Sequence, residues 1–241
     1  MARRRFFVAA IRGGMAELRG DEARHLTRAL RAQAGQRYEI SDNRAAYLAE
    51  IVEARGDRVV FRAIEPVDSP VLPARITLCA ALIKFDRFEW MVEKATELGV
   101  ECLLPVEAAR SEKGLFEASR KRRERWERIA RESSQQARRV TAPEILPAVR
   151  FEGARGIEAD SRYFLEEAAA PPLLQALPPR RAASDRVALL TGPEGGWTDA
   201  ERTGAAAAGW QPVSLGPLVL RAETAAIAAL AVVASGWLRK V

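Results

Sequence analysis

The stretch RVALLTGPEGGWTDAER, residues 186–202, decides the fold of this chain. Its apolar start is typical of a buried strand, and that strand runs without a spacer into the glycine turn TGPEGG. Thr198 followed by Glu201 has the spacing of a capping box, which predicts that a helix begins at about Asp199. A strand, a glycine turn and a helix in this order indicate an α/β domain, in which ligands bind where strands end and helices begin.

The glycines of this turn favour a binding loop over a simple connection. Gly192, Gly195 and Gly196 let the backbone turn tightly and approach a ligand without side-chain obstruction. Their spacing fits neither the dinucleotide pattern G-x-G-x-x-G nor the P-loop, so hydride transfer and nucleotide hydrolysis lose support. A purely structural turn is the alternative, and the Pro193-Glu194 pair inside the glycine cluster argues against it.

A second loop follows about 20 residues later, in SLGPLVLRAETAAIAAL, residues 214–230. Gly216 interrupts a short strand, and Arg221 and Glu223 stand beside apolar residues, where charges must pair with each other or face a ligand. The alanine-rich helix that follows is equally consistent with a core helix and with a subunit interface. Because both loops follow strands, we expect them to form one pocket at the carboxyl edge of a sheet.

The chain around these loops alternates between strands and helices from Arg75 onward. This rhythm predicts a mostly parallel sheet that is covered by helices on both faces. The predicted strands are ITLCAALI (76–83), VECLLPV (100–106), RYFLEE (162–167) and RVALLTG (186–192). The predicted helices span residues 87–98, 119–139, 198–208 and 224–238, and the second carries an apolar stripe of Trp126, Ile129 and Ala130.

The first 70 residues have a different rhythm of short strands and one helix, which predicts a small β-barrel. The predicted strands are FFVAA (6–10), RYEI (37–40), YLAEIV (47–52) and RVVFRAI (58–64). The helix is predicted between Asp21 and Ala32, with Leu26, Ala29 and Leu30 on one face. The proline-rich stretch EPVDSPVLPAR (65–75) reads as a linker, so we expect domains at 1–70 and 74–241.

Composition excludes several classes of protein. The chain has 241 residues with 48% hydrophobic residues, too many for intrinsic disorder, and no repeat is visible. With 38 Lys and Arg residues against 32 Asp and Glu, the net charge of +6 favours nucleic acid, an anionic membrane or acidic substrates, although an arginine-rich genome gives the same balance. Cys79, Cys102 and the single histidine, His25, make no metal site, and no membrane span or targeting signal is visible. We therefore expect a soluble cytoplasmic protein with reduced cysteines.

Several arginines are candidates for RNA contacts. Arg24, Arg28 and Arg31 have the spacing i, i+4 and i+7, which places them on one helix face suited to phosphates. A merely solvated helix face is the alternative, and His25 is more often structural than functional. The candidate RNA-binding residues are Arg3, Arg4, Arg24, His25, Arg28, Arg31, Arg138 and Arg139.

The sequence resembles a known family along its whole length. TGPEGGWTDAE followed by SLGPLVLRAETAAIAAL is similar to the C-terminal signature of the bacterial 16S rRNA (uracil-N3)-methyltransferases, members of the SPOUT superfamily. KATELGV (94–100), ERWERIARESSQQARRVTAP (124–143) and RHLTRALRAQAGQ (24–36) resemble further segments in the same order. Two departures, Phe85 before Asp86-Arg87 and Ala137-Arg138 in place of the usual Ser-Gly, affect the substrate-facing surface only.

The resemblance implies an N-terminal PUA-like RNA-binding β-barrel and a C-terminal α/β domain with a deep trefoil knot. It also implies a homodimer that uses S-adenosylmethionine to methylate N3 of a uridine in 16S rRNA, within the small ribosomal subunit. Arg221 would stabilise charge on the uracil, and Glu223 would accept the proton or orient Arg221. The cofactor would be framed by Leu165, Thr191, Gly192, Glu194, Gly195, Gly196, Leu215, Gly216, Leu220 and Thr224.

Two alternatives stay open at this point. The first is a SPOUT enzyme that acts on tRNA or on another rRNA base, since no base-specific contact can be read from the residues. The second is a non-catalytic RNA-binding ribosome-assembly factor, against which the two intact glycine loops argue.

Overall fold

The computed structural model describes residues 5–68, 70–167 and 169–238, and the chain forms two compact units. The first comprises Met1–Pro70 with Arg131–Ala142, and the second comprises Val71–Ala130 with Pro143–Val241. The sequence places residues 131–142 with the second domain, whereas in the structure they pack with the first unit. Hydrogen bonds from Arg5 Nη1 to Arg138 O (2.5 Å) and from Ser41 Oγ to Val140 O (2.7 Å) hold them there.

The first unit is built on six strands that form one mixed sheet. The strands are β1 (Arg5–Phe7), β2 (Ile11–Arg12), β3 (Met15–Arg19), β4 (Arg37–Ser41), β5 (Ala46–Arg55) and β6 (Arg58–Pro66). Their order is β1-β4-β5-β6-β3-β2, with β1 parallel to β4 and the other pairs antiparallel. Two register shifts between β5 and β6 mark bulges, which bend a sheet and increase its twist.

One face of this sheet carries the core of the first unit, which gathers around Leu26, Ile40, Ile51 and Phe61. The strand β3 is absent from the sequence-based prediction. Its residues MAELR are good helix formers, so local propensity points the wrong way. The pairing of β3 with β6 along five residues overrides that propensity.

The helical segment of this unit differs from its prediction. The helix α1 (Gly20–Arg24) is continued by one π-helical turn, His25–Ala29. The predicted apolar face is wrong, because only Leu26 of its three members is buried, while Leu30 is 39% exposed and Ala29 is exposed as well. A π-helical turn shifts the residues that follow it around the axis, so spacing rules for an α-helix fail beyond Arg24.

The second unit contains a seven-stranded parallel sheet, as the alternating rhythm predicts. The strands are β7 (Arg75–Ala81), β8 (Cys102–Glu107), β9 (Glu144–Ile145), β10 (Val149–Arg150), β11 (Ser161–Leu165), β12 (Arg186–Thr191) and β13 (Gln211–Val213). Their order is β10-β8-β7-β12-β11-β13, and β9 also pairs with β8. Consecutive residues of β7 alternate between two apolar clusters, because Leu78 and Ala80 belong to one and Cys79 and Ala81 to the other.

Helices accompany this sheet. They are α2 (Phe85–Glu97), α3 (Leu115–Gln136), α4 (Phe151–Arg155), α5 (Leu173–Ala176), α6 (Asp199–Ala207) and α7 (Ala222–Trp237). The helices α2 and α7 pack together and share one apolar cluster with β7 and β12, while α4 and α6 belong to the opposite cluster. Trp126 and Ala130 of α3 are buried as the stripe predicts. The hydrophobic pattern of the sequence therefore predicts the arrangement of this unit, a sheet with helices on both faces.

Within residues 5–68, 70–167 and 169–238, no helix is both long and apolar enough to cross a bilayer. The same part of the chain holds no group of three or more His, Cys, Asp or Glu side chains that could bind a metal ion.

Candidate functional site

A cavity lies where β11, β12 and β13 end. Its walls come from both glycine loops, so the prediction of one pocket at the carboxyl edge of the sheet is confirmed. The lining residues are Leu165, Glu166, Glu167, Gly192, Pro193, Gly196, Trp197, Leu215, Gly216, Leu218, Leu220, Ala222 and Ala225. Its lining is mostly apolar with a few polar groups, which is typical of a site that binds a small organic ligand.

The indole of Trp197 forms the base of the first loop. It is 2% exposed, stacks on Phe164 with ring centroids 4.7 Å apart, and donates from Nε1 to Leu165 O at 2.9 Å. A Cβ at Gly192 would lie 3.0 Å from this ring, so only glycine lets the loop pass above it. Gly196 has φ +67°, a conformation that side chains disfavour. Both glycines therefore shape the loop directly.

The capping box at the start of α6 is confirmed. Thr198 Oγ1 accepts from Glu201 N at 3.2 Å, and Glu201 Oε2 accepts from Thr198 N at 2.8 Å. The Glu201 carboxylate is buried and also accepts from Ala109 N at 2.8 Å. One side chain thus caps α6 and ties it to the loop after β8, which fixes the far end of the glycine turn.

Two neighbouring carboxylates lie at the mouth of the pocket, just after β11. Glu166 is held by Arg202, whose Nε and Nη2 donate to its two oxygens at 2.6 and 3.1 Å, and this hydrogen bonding raises the pKa of Arg202. Glu167 is exposed, and its Oε2 would be 3.8 Å from a Cβ placed on Gly196. Among the described residues, no cation lies within ion-pair distance of Glu167. The pocket therefore offers one carboxylate to a ligand.

The second loop ends at α7, where the two predicted catalytic residues lie. Arg221 is exposed at the N-cap position, and Glu223 in the first turn is buried. The two side chains are expected either to pair with each other or to face a ligand, and among the described residues the ion partner of Glu223 is Arg87, with Arg87 Nε 4.0 Å from Glu223 Oε1. Within the part of the chain that the structure describes, Glu223 Oε2 has no hydrogen-bond partner. Arg221 is thus left facing solvent beside the pocket.

The ten residues predicted to frame a cofactor fall into two groups. Six of them line the cavity, namely Leu165, Gly192, Gly196, Leu215, Gly216 and Leu220. Glu194 instead pairs with Arg87, and Gly195 O accepts from Arg110 Nη1 at 2.9 Å. Thr191 is buried at the end of β12, and Thr224 is exposed on α7.

The sequence reasoning missed several lining residues and one tie between the loops. These lining residues include Glu166, Glu167 and Trp197. Glu166 and Glu167 stand at the end of a predicted strand and Trp197 directly follows Gly196, and these positions are a usable signal of a binding loop. Arg87 lies 107 residues before Glu194, its partner, so no local pattern could have joined them.

The predicted RNA-contacting residues of the first unit have different environments. Arg3 and Arg4 lie outside the described residues. Arg24 is half-buried and pairs with Asp21 and with Asp57, while His25 and Arg28 are exposed. The prediction that Arg24, Arg28 and Arg31 share one helix face is wrong, because the helical segment ends at Ala29 and Arg31 follows with φ +50°.

Arg138 and Arg139 differ strongly in exposure. Arg138 is exposed and has φ +55°, a conformation that arginine rarely adopts. Arg139 is 7% exposed, and its Nε donates to Thr141 O at 3.1 Å. Burial leaves Arg139 a structural role within residues 131–142 and makes Arg138 the stronger candidate for an RNA contact.

Neither cysteine belongs to the pocket. Cys79 is fully buried in β7, and burial raises the pKa of its thiol strongly. Burial also raises the pKa of Cys102 to about 11, with smaller contributions from Glu144 and Glu101. Both thiols are therefore protonated near neutral pH and are poor nucleophiles.

Comparison with protein families and sequences gives matches along most of the chain. The model of the RNA methyltransferase domain matches residues 70–234. The ribosomal RNA small subunit methyltransferase E of Synechocystis sp. is 32% identical over 222 residues, which cover 86% of this chain and 68% of that protein. The enzyme of the same name from Mycobacterium bovis is 31% identical, and the match covers 92% of this chain and 86% of that protein.

Solved structures are similar along almost the whole chain. A ribosomal RNA small subunit methyltransferase E from Neisseria gonorrhoeae, bound to S-adenosyl methionine, has a TM-score of 0.86 at 27% identity and covers 95% of this chain and 96% of that one. A putative methyltransferase from Legionella pneumophila, in complex with the same cofactor, has a TM-score of 0.88 at 28% identity and covers 98% of both chains.

Proposed function

This chain belongs to the RNA methyltransferase family, and from that premise we propose that it methylates N3 of a uridine in the 16S rRNA of the small ribosomal subunit. It is an S-adenosylmethionine-dependent rRNA methyltransferase. The observation that carries this proposal is the pocket built from the two glycine loops at the carboxyl ends of β11, β12 and β13. The choice of uridine N3 rests on the resemblance of these loops to the uracil-N3 enzymes.

The residues of the pocket suit S-adenosylmethionine. The apolar walls, among them Leu165, Leu215 and Leu220, suit an adenine ring. The ligand also carries hydroxyl, ammonium and sulfonium groups, for which the Glu167 carboxylate is a hydrogen-bonding and electrostatic partner. When bound, the cofactor supplies an electrophilic methyl group.

The chain's own residues must do the rest of the chemistry. Uracil N3 carries a proton and is a poor nucleophile until that proton leaves, so the site needs a proton acceptor and a group that stabilises negative charge. We assign the acceptor role to Glu223, whose Oε2 is buried and unpartnered, and the stabilising role to Arg221, which is exposed beside the pocket. Both groups lie in the first turn of α7 or directly before it, next to the lining residue Ala222.

We assign RNA binding to the first unit as a PUA-like barrel. The exposed basic side chains of Arg28, Arg31 and Arg138, with His25, support this assignment. Contacts to phosphates position an RNA without reading its sequence, so these residues would supply affinity, while the pocket selects the base.

The proposed function includes a trefoil knot and a homodimer in the cytoplasm. The segment between β11 and β12 supports a knot, because it contacts both the chain before α7 and the last turn of α7. Ser214 N donates to Pro171 O at 2.9 Å, and Arg181 Nη1 donates to Gly236 O. Support for a dimer comes from α7, which is apolar along its length and still exposes Ala231.

Calorimetry with S-adenosylmethionine separates the enzyme from a binding-only protein. We expect one cofactor bound per chain, and Leu220→Asp should abolish that binding because a charge would enter an apolar wall. Val52→Asp, on an exposed position of β5, is the matched control and should bind as the wild type does. If calorimetry detected no heat of binding at high micromolar S-adenosylmethionine, the proposal that this chain is an enzyme would be overturned.

Mass spectrometry of rRNA identifies the base. Small subunits from a strain that lacks this gene should contain an unmethylated uridine that the purified protein converts to 3-methyluridine. Methylation of a different base, or of tRNA instead, would favour the other SPOUT activity. Substitution of Arg221 by alanine should lower the rate of transfer on the same subunits.

A further inference from the structure

Arg87 lies outside the pocket wall and still connects its two sides. It occupies the first turn of α2, and its Nη1 donates to Glu194 Oε1 in the first glycine loop. Its Nε lies 4.0 Å from Glu223 Oε1, in the first turn of α7. One guanidinium therefore reaches both of the segments between which a ligand would lie.

Packing fixes the position from which Arg87 acts. The helices α2 and α7 share the apolar cluster that contains Phe88, Met91 and Ala226. Phe88 is fully buried one residue after Arg87, so the backbone of this turn has little freedom. The Arg87 side chain is 32% exposed and thus partly screened from solvent.

The electrostatics of this arrangement require the arginine. Glu223 is buried with one oxygen unpartnered, and Glu194 is directed to the same cation. Without Arg87, two carboxylates would face each other without compensation, and one of them is desolvated. Repulsion would then move the movable partner, which is the loop at Pro193–Gly196, away from α7.

We propose that Arg87 is a positioning residue that sets the separation of the two glycine loops and thereby the affinity for S-adenosylmethionine. This inference rests on the proposed function. The planar fork of arginine meets two carboxylates at once, which the single ammonium of lysine does not. Arg87 acts through Glu194 and Glu223, so its effect depends on their presence.

Titration calorimetry with S-adenosylmethionine tests this proposal on four variants of the full chain. We expect Arg87→Met to raise Kd about tenfold or more, because a small misplacement of binding groups is costly. Arg87→Lys should recover only part of the loss. Glu194→Gln should also raise Kd, and the double variant should be no weaker than Arg87→Met, because each change breaks the same contact. Arg75→Met, which removes an exposed pair with Glu101 in the same unit, is the control and should bind as the wild type does.

Kinetics separate positioning from general stability. In methyl transfer to small subunits, Arg87→Lys should raise KM for the cofactor and leave kcat within about threefold. The proposal is overturned if Arg87→Lys binds with wild-type affinity, if the two changes add fully, or if kcat alone falls. If Arg87→Met does not fold, Arg87→Lys and Glu194→Gln give the same comparison. Absence of cofactor binding by the wild-type chain would overturn the proposed function together with this inference.

Discussion

At the scale of single residues, the shape of the pocket depends on contacts that only certain side chains allow. Trp197 supports the first loop, and its indole leaves no space above Gly192 for a further carbon. Arg138 shows the opposite case, in which a side chain is kept despite an unfavourable backbone conformation. Each case leads to a prediction about both the stability of the fold and the binding of a ligand.

Gly192→Ala should damage the cofactor site. The new Cβ would meet the indole of Trp197 at 3.0 Å, and because that ring is buried and stacked on Phe164, it cannot move freely. We expect a loss of about 1–3 kcal/mol in the free energy of unfolding, as for other overpacked sites, together with weaker binding of S-adenosylmethionine. Denaturant titration and calorimetry measure the two effects.

The control for this change is Gly156→Ala. Gly156 has φ −84°, and the nearest atom to an added Cβ is 3.8 Å away. The free energy of unfolding should therefore change little in Gly156→Ala. If Gly192→Ala were as stable as Gly156→Ala and bound the cofactor with unchanged affinity, the predicted clash between the new Cβ and the Trp197 indole would be contradicted.

Arg138→Gly should stabilise the protein while weakening its binding to rRNA. At φ +55° a side chain destabilises the folded state by about 1–2 kcal/mol. Removing this strain is partly offset because glycine gives the unfolded chain more conformational freedom. We expect a net gain of about 0.5–1 kcal/mol in the free energy of unfolding. Loss of one cation should also lower RNA affinity and reduce its dependence on salt.

Arg138→Lys separates these effects, because it keeps both the charge and the strain. It should match the wild type in denaturant titration and in RNA binding at two salt concentrations. If Arg138→Gly bound rRNA as tightly as Arg138→Lys, the side chain would have no role in RNA binding.

At the scale of elements, hydrophobic pattern and turn chemistry predict what is local. The strands β7, β8, β11 and β12 and the helices α2, α6 and α7 were predictable, because each is a long apolar run or ends at a clear cap or glycine. The strand β3 was not predictable from local sequence, because its conformation depends on its pairing with β6. The pocket was predictable because parallel strands bring their following loops to one edge, whereas Arg87 was not, since its partners are distant in sequence.

The start of α6 depends on one buried carboxylate. Glu201 accepts from the backbone N–H groups of Thr198 and Ala109, so Glu201→Ala removes the partner of two partly buried donors. We expect a loss of about 2–4 kcal/mol in the free energy of unfolding, measured by denaturant titration. Glu117→Ala, an exposed glutamate in the first turn of α3, is the control and should change it by no more than about 0.5 kcal/mol. Equal effects of the two changes would contradict the role assigned to the cap.

At the scale of the whole molecule, the composition of the two units is the result that sequence could least predict. Residues 131–142 include the C-terminal end of α3, whose earlier residues belong to the second unit, yet this segment hydrogen-bonds to β1 and β4 of the first. The contacts that hold it include those from Arg5 and from Ser41, and each of these spans about 100 residues or more of sequence. Neither periodicity nor composition encodes such contacts, which depend on the assembled sheet.

The two thiols of the second unit differ in whether their alkylation requires the unit to unfold. Cys102 is partly exposed with a pKa of about 11, so at pH 8 roughly one thiol in a thousand is ionised, and its alkylation should become about tenfold faster per pH unit up to pH 10. Cys79 is fully buried in β7 between β8 and β12, so its alkylation requires the sheet to open. Since folding raises the pKa of both thiols, the folded state binds protons more tightly, and stability should fall as the pH rises above about 8.5.

Cofactor binding should therefore protect one thiol and not the other. A ligand that binds only the folded chain lowers the open population by a factor of 1 + [L]/Kd, so S-adenosylmethionine at about 100 times its Kd should slow alkylation of Cys79 about 100-fold. Cys102 reacts without global opening, so its rate at the same pH should change little. Mass spectrometry of the alkylated protein resolves the two sites in one experiment. If the cofactor protected neither thiol, the pocket and the sheet would not unfold as one cooperative unit, and equal protection of both would show that Cys102 also reacts only after opening.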